Sequence, residues 1–351
     1  MMDQVQSLIG EINKKFGDGT IMRASELADQ KIERLPTGIF TLDLATRGGL
    51  PAGRVTLLTG REGSLKTTLS LLIAKLCQRL CGDCLKEKCS CKKQRPMMVG
   101  FIDAENKYPS ELARAIGVDE SKIIVTRPES AEQAIDVADV LLRNEGVGLV
   151  IVDSIAAFVP MAEVEKSMEE WQQGLAAREV NKFCRRILAA LSSRSKLGRS
   201  PTVILINQVR QKLGIAYGDP TTFPGGEGQK FTASLIVKMW AKKYKDYDPA
   251  KDGDSPPKVQ VGFSILKHSF GPGHTDGEFI VAMRETDGLR SGESDEAEII
   301  LRYAQSRGLV NIERGKAAAM GQEFSSLRAV REDRKILGKL RAKLLTDMEG
   351  K

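Results

Sequence analysis

The stretch GREGSLKTT (60–68) follows the apolar run RVTLLT (54–59) and opens a second apolar run that continues to Leu80. A short β-branched run, a glycine-containing turn and a Lys-Thr pair at the head of a helical pattern predict strand, phosphate loop and helix. In such a loop, backbone N–H groups and the helix N-terminus surround phosphate oxygens. Lys66 then reaches the terminal phosphates and the Thr67 hydroxyl ligates Mg²⁺. Gly60, Arg61, Glu62, Gly63, Ser64, Leu65 and Thr68 complete the cradle. The usual pattern has glycine directly before the lysine; here it is Leu65. A β-carbon there crowds the turn, and Gly63 is left to supply conformational freedom. The alternative is an ordinary strand-to-helix turn that carries a lysine.

Two acidic strand ends strengthen the phosphate reading. LVIVD (149–153) is an apolar strand pattern ending in Asp153, placed to hold the water shell of Mg²⁺. FIDAE (101–105) ends in Glu105, placed to polarise a water against a γ-phosphate. A helix-capping aspartate and a solvated loop glutamate are the plainer alternatives. Outward from these motifs, strands are predicted over 54–59, 97–102, 148–152 and 202–206, and helices over 4–16, 67–80, 131–144 and 175–193. Further strands follow over 231–285. The short β-branched runs suit a parallel sheet covered on both faces, an α/β fold. The last sixty or so residues read as helical and charged.

The chain has 351 residues, enough for one large domain and a small one. No apolar stretch is long enough to span a membrane, and the first residues read as an amphipathic helix rather than a signal peptide. A cytoplasmic protein is expected. The net charge of +7 permits phosphate-backbone binding. Two histidines, His268 and His274, leave little room for histidine-based catalysis.

Five of six cysteines fall at 77, 81, 84, 89 and 91. CGDCLKEKCSC (81–91) brings Cys81, Cys84, Cys89 and Cys91 within reach of one tetrahedral ion, and zinc is the expected metal. So short a segment buries no core of its own, so metal is its source of order. An iron–sulfur cluster and a reduced, metal-free loop are the alternatives. Cys77 either replaces one ligand or stays buried, and Cys184 is expected in the core.

NKKFGDGTIMR (13–23), TGIFTLD (37–43), GGLPAGR (48–54), FIDAE (101–105), VDSIAA (152–157), GLAAR (174–178) and INQVR (206–210) resemble the bacterial RecA recombinases, in RecA order and at nearly RecA spacing. The resemblance is specific from about residue 8 to 285. Leu65 is similar to the bulky residue of the phage, UvsX-type members. The resemblance implies a RecA-type P-loop core with a mostly parallel twisted sheet. It implies a docking helix and linker over 1–36, a core over 37–289 with the cysteine-rich insertion at 77–95, and a small helical unit over 290–351. It also implies a DNA-dependent ATPase that uses ATP and Mg²⁺. Such a protein would form a helical filament on single-stranded DNA and exchange strands with homologous duplex.

By position, Glu105 matches the water-activating glutamate, and Lys66, Thr67 and Asp153 match the phosphate and Mg²⁺ ligands. Gln208 matches the γ-phosphate sensor, and Lys267 matches a lysine that crosses to a neighbour's ATP. Ser269 stands where a second such lysine belongs. Pro109 and Leu112 occupy the positions of the family's adenine-holding pair, and Tyr108 is the substitute. The first DNA loop falls on 166–173, where Trp171 either stacks on bases or serves as a core or interface aromatic. The second falls on 209–225, with Arg210 and Lys212 on phosphates and Leu213 as an apolar wedge. Gly225 and Gly226 lend that loop freedom, and Arg178 adds a backbone contact. Even without the resemblance, basic, glycine and aromatic residues there suit single-strand binding. Residues 328–343, with seven basic and two acidic side chains, either gather duplex DNA or form a solvated helix face. A regulatory relative without strand exchange and a ring helicase are the rival functions.

Overall fold

The computed structural model describes residues 2–17, 19–25, 32–92, 94–161, 174–195, 199–211, 221–222, 224–242, 244, 248, 256–271, 275–313 and 315–349. Its central sheet is made of β1 (Val55–Gly60), β2 (Met98–Asp103), β3 (Ile123–Thr126), β4 (Val147–Asp153), β5 (Thr202–Gln208), β6 (Leu235–Lys242), β7 (Lys258–His268) and β8 (Asp276–Ala282). The spatial order is β8-β7-β6-β1-β5-β4-β2-β3. From β6 to β3 every pairing is parallel; β7 and β8 are added antiparallel.

The helices are α1 (Met2–Phe16), α2 (Phe40–Ala45), α3 (Lys66–Cys77), α4 (Ser110–Ile116), α5 (Ala131–Arg143), α6 (Leu175–Ser195) and α7 (Gly228–Thr232), then α8 (Ala297–Ser306), α9 (Leu327–Glu332) and α10 (Arg334–Glu349). Alternation along the strands separates two cores. Leu58, Phe101, Ile151 and Ile204 face α3 and α4 on one side. Leu57, Ile102, Val152 and Leu205 face α5 and α6 on the other. Continuous apolar strands follow, because both faces are dry. Cys184 lies in the second core, as expected.

The predicted central strands and helices all occur, with ends shifted by a few residues. The phosphate-loop helix stops at Cys77, before Leu80. Beyond it, Gln78 turns aside to bind the backbone of Asp119 through both amide atoms, at 2.9 Å each. Ile123–Thr126 is an edge strand of mixed exposure, too short and too wet to show a sheet pattern.

The C-terminal expectation needs correction. Residues 297–349 are not only helical: β9 (Val310–Glu313), β10 (Lys316–Ala319) and β11 (Gln322–Phe324) form an antiparallel sheet. The segment KAAA is a poor strand former by propensity, yet Ala317 and Ala319 are buried in a third apolar cluster. Small side chains let α9 lie close to that sheet, and burial overrides propensity.

Phe40 of α2 joins this third cluster, which anchors the C-terminal unit on the core. Beside it, the fully buried Asp43 accepts from Arg341 at 2.9 Å and from Thr37 N and Oγ1 at 2.7 Å. Glu296 accepts from the Phe40 amide. Burial pushes the Asp43 carboxyl up to about 6, against the pull of Arg341. Burial likewise pushes Glu296 up to about 7, again against Arg341.

Both acids titrate higher folded than unfolded. Their contribution is therefore largest below the unfolded carboxyl range near 4 and falls as pH rises through 6 to 7. Removing Arg341 strands an ionised Asp43. Arg341→Met is expected to lower stability by about 3 kcal/mol at pH 8 and by clearly less at pH 5, where Asp43 carries its proton. Urea unfolding at the two pH values measures the difference.

Candidate functional site

The C-terminal ends of β1, β2, β4 and β5 come together at one edge of the sheet. Gly60 is level with Gln208, and Asp103 with Asp153. Gly60 has no room for a side chain: a β-carbon would lie 2.2 Å from the Met239 carbonyl oxygen. Ser64 Oγ donates to the Arg61 carbonyl at 2.7 Å and closes the loop. Lys66 Nζ lies under it, donating to the carbonyls of Gly60 (3.1 Å) and Arg61 (2.8 Å) and to Ser64 Oγ (3.2 Å). Burial pushes the Lys66 ammonium below its ordinary value, while Asp153, Glu105 and Glu62 counter that shift. Thr68 is buried on the helix, whereas Arg61, Glu62 and Gly63 are exposed.

Leu65 resolves the anomaly of the motif. It adopts φ +61°, the left-handed conformation a glycine ordinarily supplies, and Gly63 adopts φ +72°. The half-buried Leu65 side chain packs against the α3-side core, so the β-carbon is accommodated rather than crowded. Strain of about 1–2 kcal/mol is offset by a partial apolar burial of similar size.

Thr67 Oγ1 donates to Asp153 Oδ2 at 2.5 Å. Burial raises the Asp153 carboxyl, the Thr67 bond opposes this, and the Glu105 charge adds to it. Glu105 Oε1 accepts from Ser154 Oγ at 2.6 Å and from Gln208 Nε2 at 3.2 Å. Its Oε2 lies 3.5 Å from Lys107 Nζ. The expected acid and the expected sensor are thus in direct contact. A hydroxyl and a carboxylate side by side are the hard oxygen donors that suit Mg²⁺.

Several residues with positioning roles carried no motif signal. Buried Asp103 accepts from the Lys107 and Tyr108 amides at 2.9 Å each and from Arg127 Nε at 3.3 Å. It thereby shapes the turn that presents Glu105. Asn207 Nδ2 donates to the Pro224 carbonyl (3.0 Å) and to Gln229 Oε1 (2.6 Å). Gln229 Nε2 donates to the carbonyls of Pro224 (2.8 Å) and Gly226 (2.9 Å). These amides tie the Pro224–Gly226 end of the second loop to the strand that carries Gln208. Gly225 and Gly226, both at φ +82°, lie against Val180 and Ala177, beside exposed Arg178 on the first turn of α6.

The Tyr108 ring meets Phe101 edge-on at 5.0 Å and its hydroxyl is buried without a partner. Lys267 does not join the Glu105 cluster. Its Nζ donates to the carbonyls of Lys230 (2.9 Å) and Phe231 (3.3 Å) on the far side of β6. Arg210 is described only in its backbone, paired with Thr222. Trp171, Lys212 and Leu213 lie outside the described residues.

Away from this edge, the sulfurs of Cys81, Cys84, Cys89 and Cys91 all lie within 4.8 Å of one another. Cys77 stands apart from them, and burial pushes its thiol up to about 12. It lies in the α3-side core. A cleft of about 1350 Å³ between α3 and the C-terminal unit, lined in part by Lys75, Glu296 and Arg331, shares no residue with the phosphate loop.

Fold and site together define an α/β protein of the P-loop class. Residues 3–261 match the RecA N-terminal domain family. The chain is 35% identical over 276 residues to Protein RecA of Fusobacterium nucleatum, covering 78% of this chain and 66% of that protein. It is 33% identical over 331 residues to Protein RecA of Francisella philomiragia (92% and 82% covered). To Protein RecA of Thermus thermophilus it is 34% identical over 275 residues (78% and 74%). The chain belongs to the RecA family.

At position 65 the left-handed backbone sets the tolerance. Leu65→Gly is expected to stay within about 1 kcal/mol of the parent, trading packing for relief of strain. Leu65→Val, β-branched at positive φ, is expected to cost about 1–3 kcal/mol. Equilibrium denaturation of both variants checks the order.

Proposed function

We propose that this chain is an ATP-dependent recombinase that assembles on single-stranded DNA and exchanges it into homologous duplex. The observation that carries the reading is the Glu105–Gln208 contact at 3.2 Å. One amide joins the acid of the hydrolysis site to the strand that runs directly into the second loop. In this reading Glu105 orients a water for in-line attack on the γ-phosphorus, held in place by Ser154 and Gln208. The bond to the β,γ-bridging oxygen breaks, giving ADP and phosphate. Lys66 faces the β- and γ-oxygens. Thr67 and Asp153 would hold Mg²⁺, which supplies charge neutralisation at those oxygens. Tyr108 takes the base side. When Gln208 follows the γ-phosphate, Asn207 moves with it and shifts the Pro224–Gly226 end of the loop.

The DNA assignments rest on position: Arg178, Arg210 and Lys212 for phosphates, Leu213 for base separation, Trp171 in the first loop. Assembly is supported by apolar surface. Val5, Leu8 and Phe16 leave a face of α1 open, and Phe231 is 82% exposed next to Lys267. These are exposed apolar surfaces of the kind a head-to-tail filament buries, and burial of Phe231 would bring Lys267 to the subunit boundary. Zinc is the ion we assign to the four-cysteine cluster, on its all-thiolate donor set. No helix among the described residues is long and apolar enough to cross a membrane.

A regulatory relative without strand exchange is the second reading, favoured by Ser269, which leaves Lys267 the only lysine of that pair. Steady-state hydrolysis separates the two. Single-stranded DNA is expected to stimulate ATP turnover, and Glu105→Gln to reduce it by about 10²–10⁴-fold while nucleotide binding persists. Nucleotide binding without DNA-stimulated turnover in the parent protein would select the regulatory reading.

A further inference from the structure

The cysteine knuckle is tied to the core and to the N-terminal linker by contacts the phosphate site does not use. Cys81 N donates to the Lys86 carbonyl at 3.0 Å and Leu85 N to the Cys81 carbonyl at 2.9 Å, which folds the first CxxC into a tight turn. Gly82 N donates to the Arg95 carbonyl at 2.8 Å, and Cys81 bridges to Pro96 at the approach to β2. Leu85 packs on the α3-side core. Four sulfurs around zinc at about 2.3 Å sit about 3.8 Å apart, inside the 4.8 Å spread of the cluster.

Asp83, between the first two cysteines, pairs with Arg95 at 3.0 Å. Its carbonyl accepts from Arg199 Nη2 at 2.6 Å, and the same Nη2 meets the Glu33 carboxylate. Arg199 is largely buried, its side chain only 14% exposed. Glu33 opens the linker strand: its carbonyl accepts from Ala52 N at 2.9 Å, and Arg34–Leu35 pairs antiparallel with Leu50–Pro51. Upstream the chain leads to α1, whose apolar face is open. One guanidinium nitrogen therefore holds the metal knuckle and the root of the docking segment together.

We infer that zinc in the knuckle acts as a latch: by fixing the Asp83 carbonyl it holds Arg199, and Arg199 holds the Glu33–Leu35 linker on the core. This rests on the zinc assignment above but not on catalysis. Without the ion only Leu85 and a few backbone bonds hold the CxxC turn, the thiolate cross-link of its second half is lost, and Arg199 loses one of its two fixed acceptors. Metal occupancy then sets how firmly the linker, and with it α1, is presented to a neighbouring subunit.

The test uses the full chain without DNA or nucleotide. Metal content comes from mass spectrometry and visible absorption, and amide hydrogen exchange is followed over 32–36 and 50–52, with strands β1 and β5 as internal reference. The expected result is one zinc per chain. Zinc removal by a chelator should then speed exchange in the two linker segments about tenfold or more and leave the reference strands unmoved. Arg199→Ala should reproduce the faster exchange with zinc still bound, and so does not depend on a cysteine variant folding. Zinc present but linker exchange unchanged on its removal overturns the latch and leaves the zinc assignment standing. Absence of metal, or iron with visible absorption, overturns the zinc assignment itself.

Discussion

The level ending of four parallel strands is the constraint from which the site follows. In-register pairing puts Gly60 beside Gln208 and Asp103 beside Asp153. A one-residue slip would turn Asp153 to the opposite face and break its bond to Thr67. Register is enforced far from the site, by Leu57 and Leu205 on one face and Phe101 and Ile151 on the other. Packing of apolar residues thus fixes the separation of the charged ones, and the reactive edge inherits the stiffness of the sheet.

That edge concentrates like charge. Burial raises the Asp153 carboxyl, and the nearby Glu105 charge adds to that rise. Lys66, itself weakened by burial, and Lys107 beside Glu105 are local counter-charges. Thr67, Ser154 and Gln208 spread the negative charge over hydrogen bonds without adding a cation. A divalent ion at Thr67 and Asp153 is the natural complement of such an arrangement, which is why the donor set and the charge balance point the same way.

Local motifs were the legible part of the chain. The phosphate loop, the two acidic strand ends and the four-cysteine pattern each lie within a dozen or so residues, and chain geometry alone brings their members together. Contacts over long separations were not legible. Nothing in FIDAE marks Asp103 as the residue that shapes the turn for Glu105, since its partners are backbone amides and Arg127. Asn207 and Gln229 read as ordinary polar residues until the fold puts them 2.6 Å apart. Leu65 was legible as an exception, but its left-handed backbone and its packing were not, because a motif records residue types and not dihedral angles. The KAAA strand was hidden for the same kind of reason: burial in a distant cluster decided it, against local propensity.

Polarity of the sheet also keeps so compact a site apart from the cysteine-rich segment. The knuckle enters between the end of α3 and the start of β2, at the edge opposite the phosphate loop. α3 spans the sheet, with Lys66 at its first turn and Cys77 at its last. Changes beyond Cys77 reach Lys66 only by moving a helix whose inner face is buried from Leu69 to Ala74. Displacing it would open cavities along the whole α3-side core, at a cost that rises with the volume left empty. The lower edge is therefore free to carry the cysteine knuckle and contact the linker sideways, through Asp83, Arg199 and Glu33, while the upper edge keeps its geometry. An insertion of the same length between β2 and α4 would instead displace Glu105 and the amides that Asp103 holds.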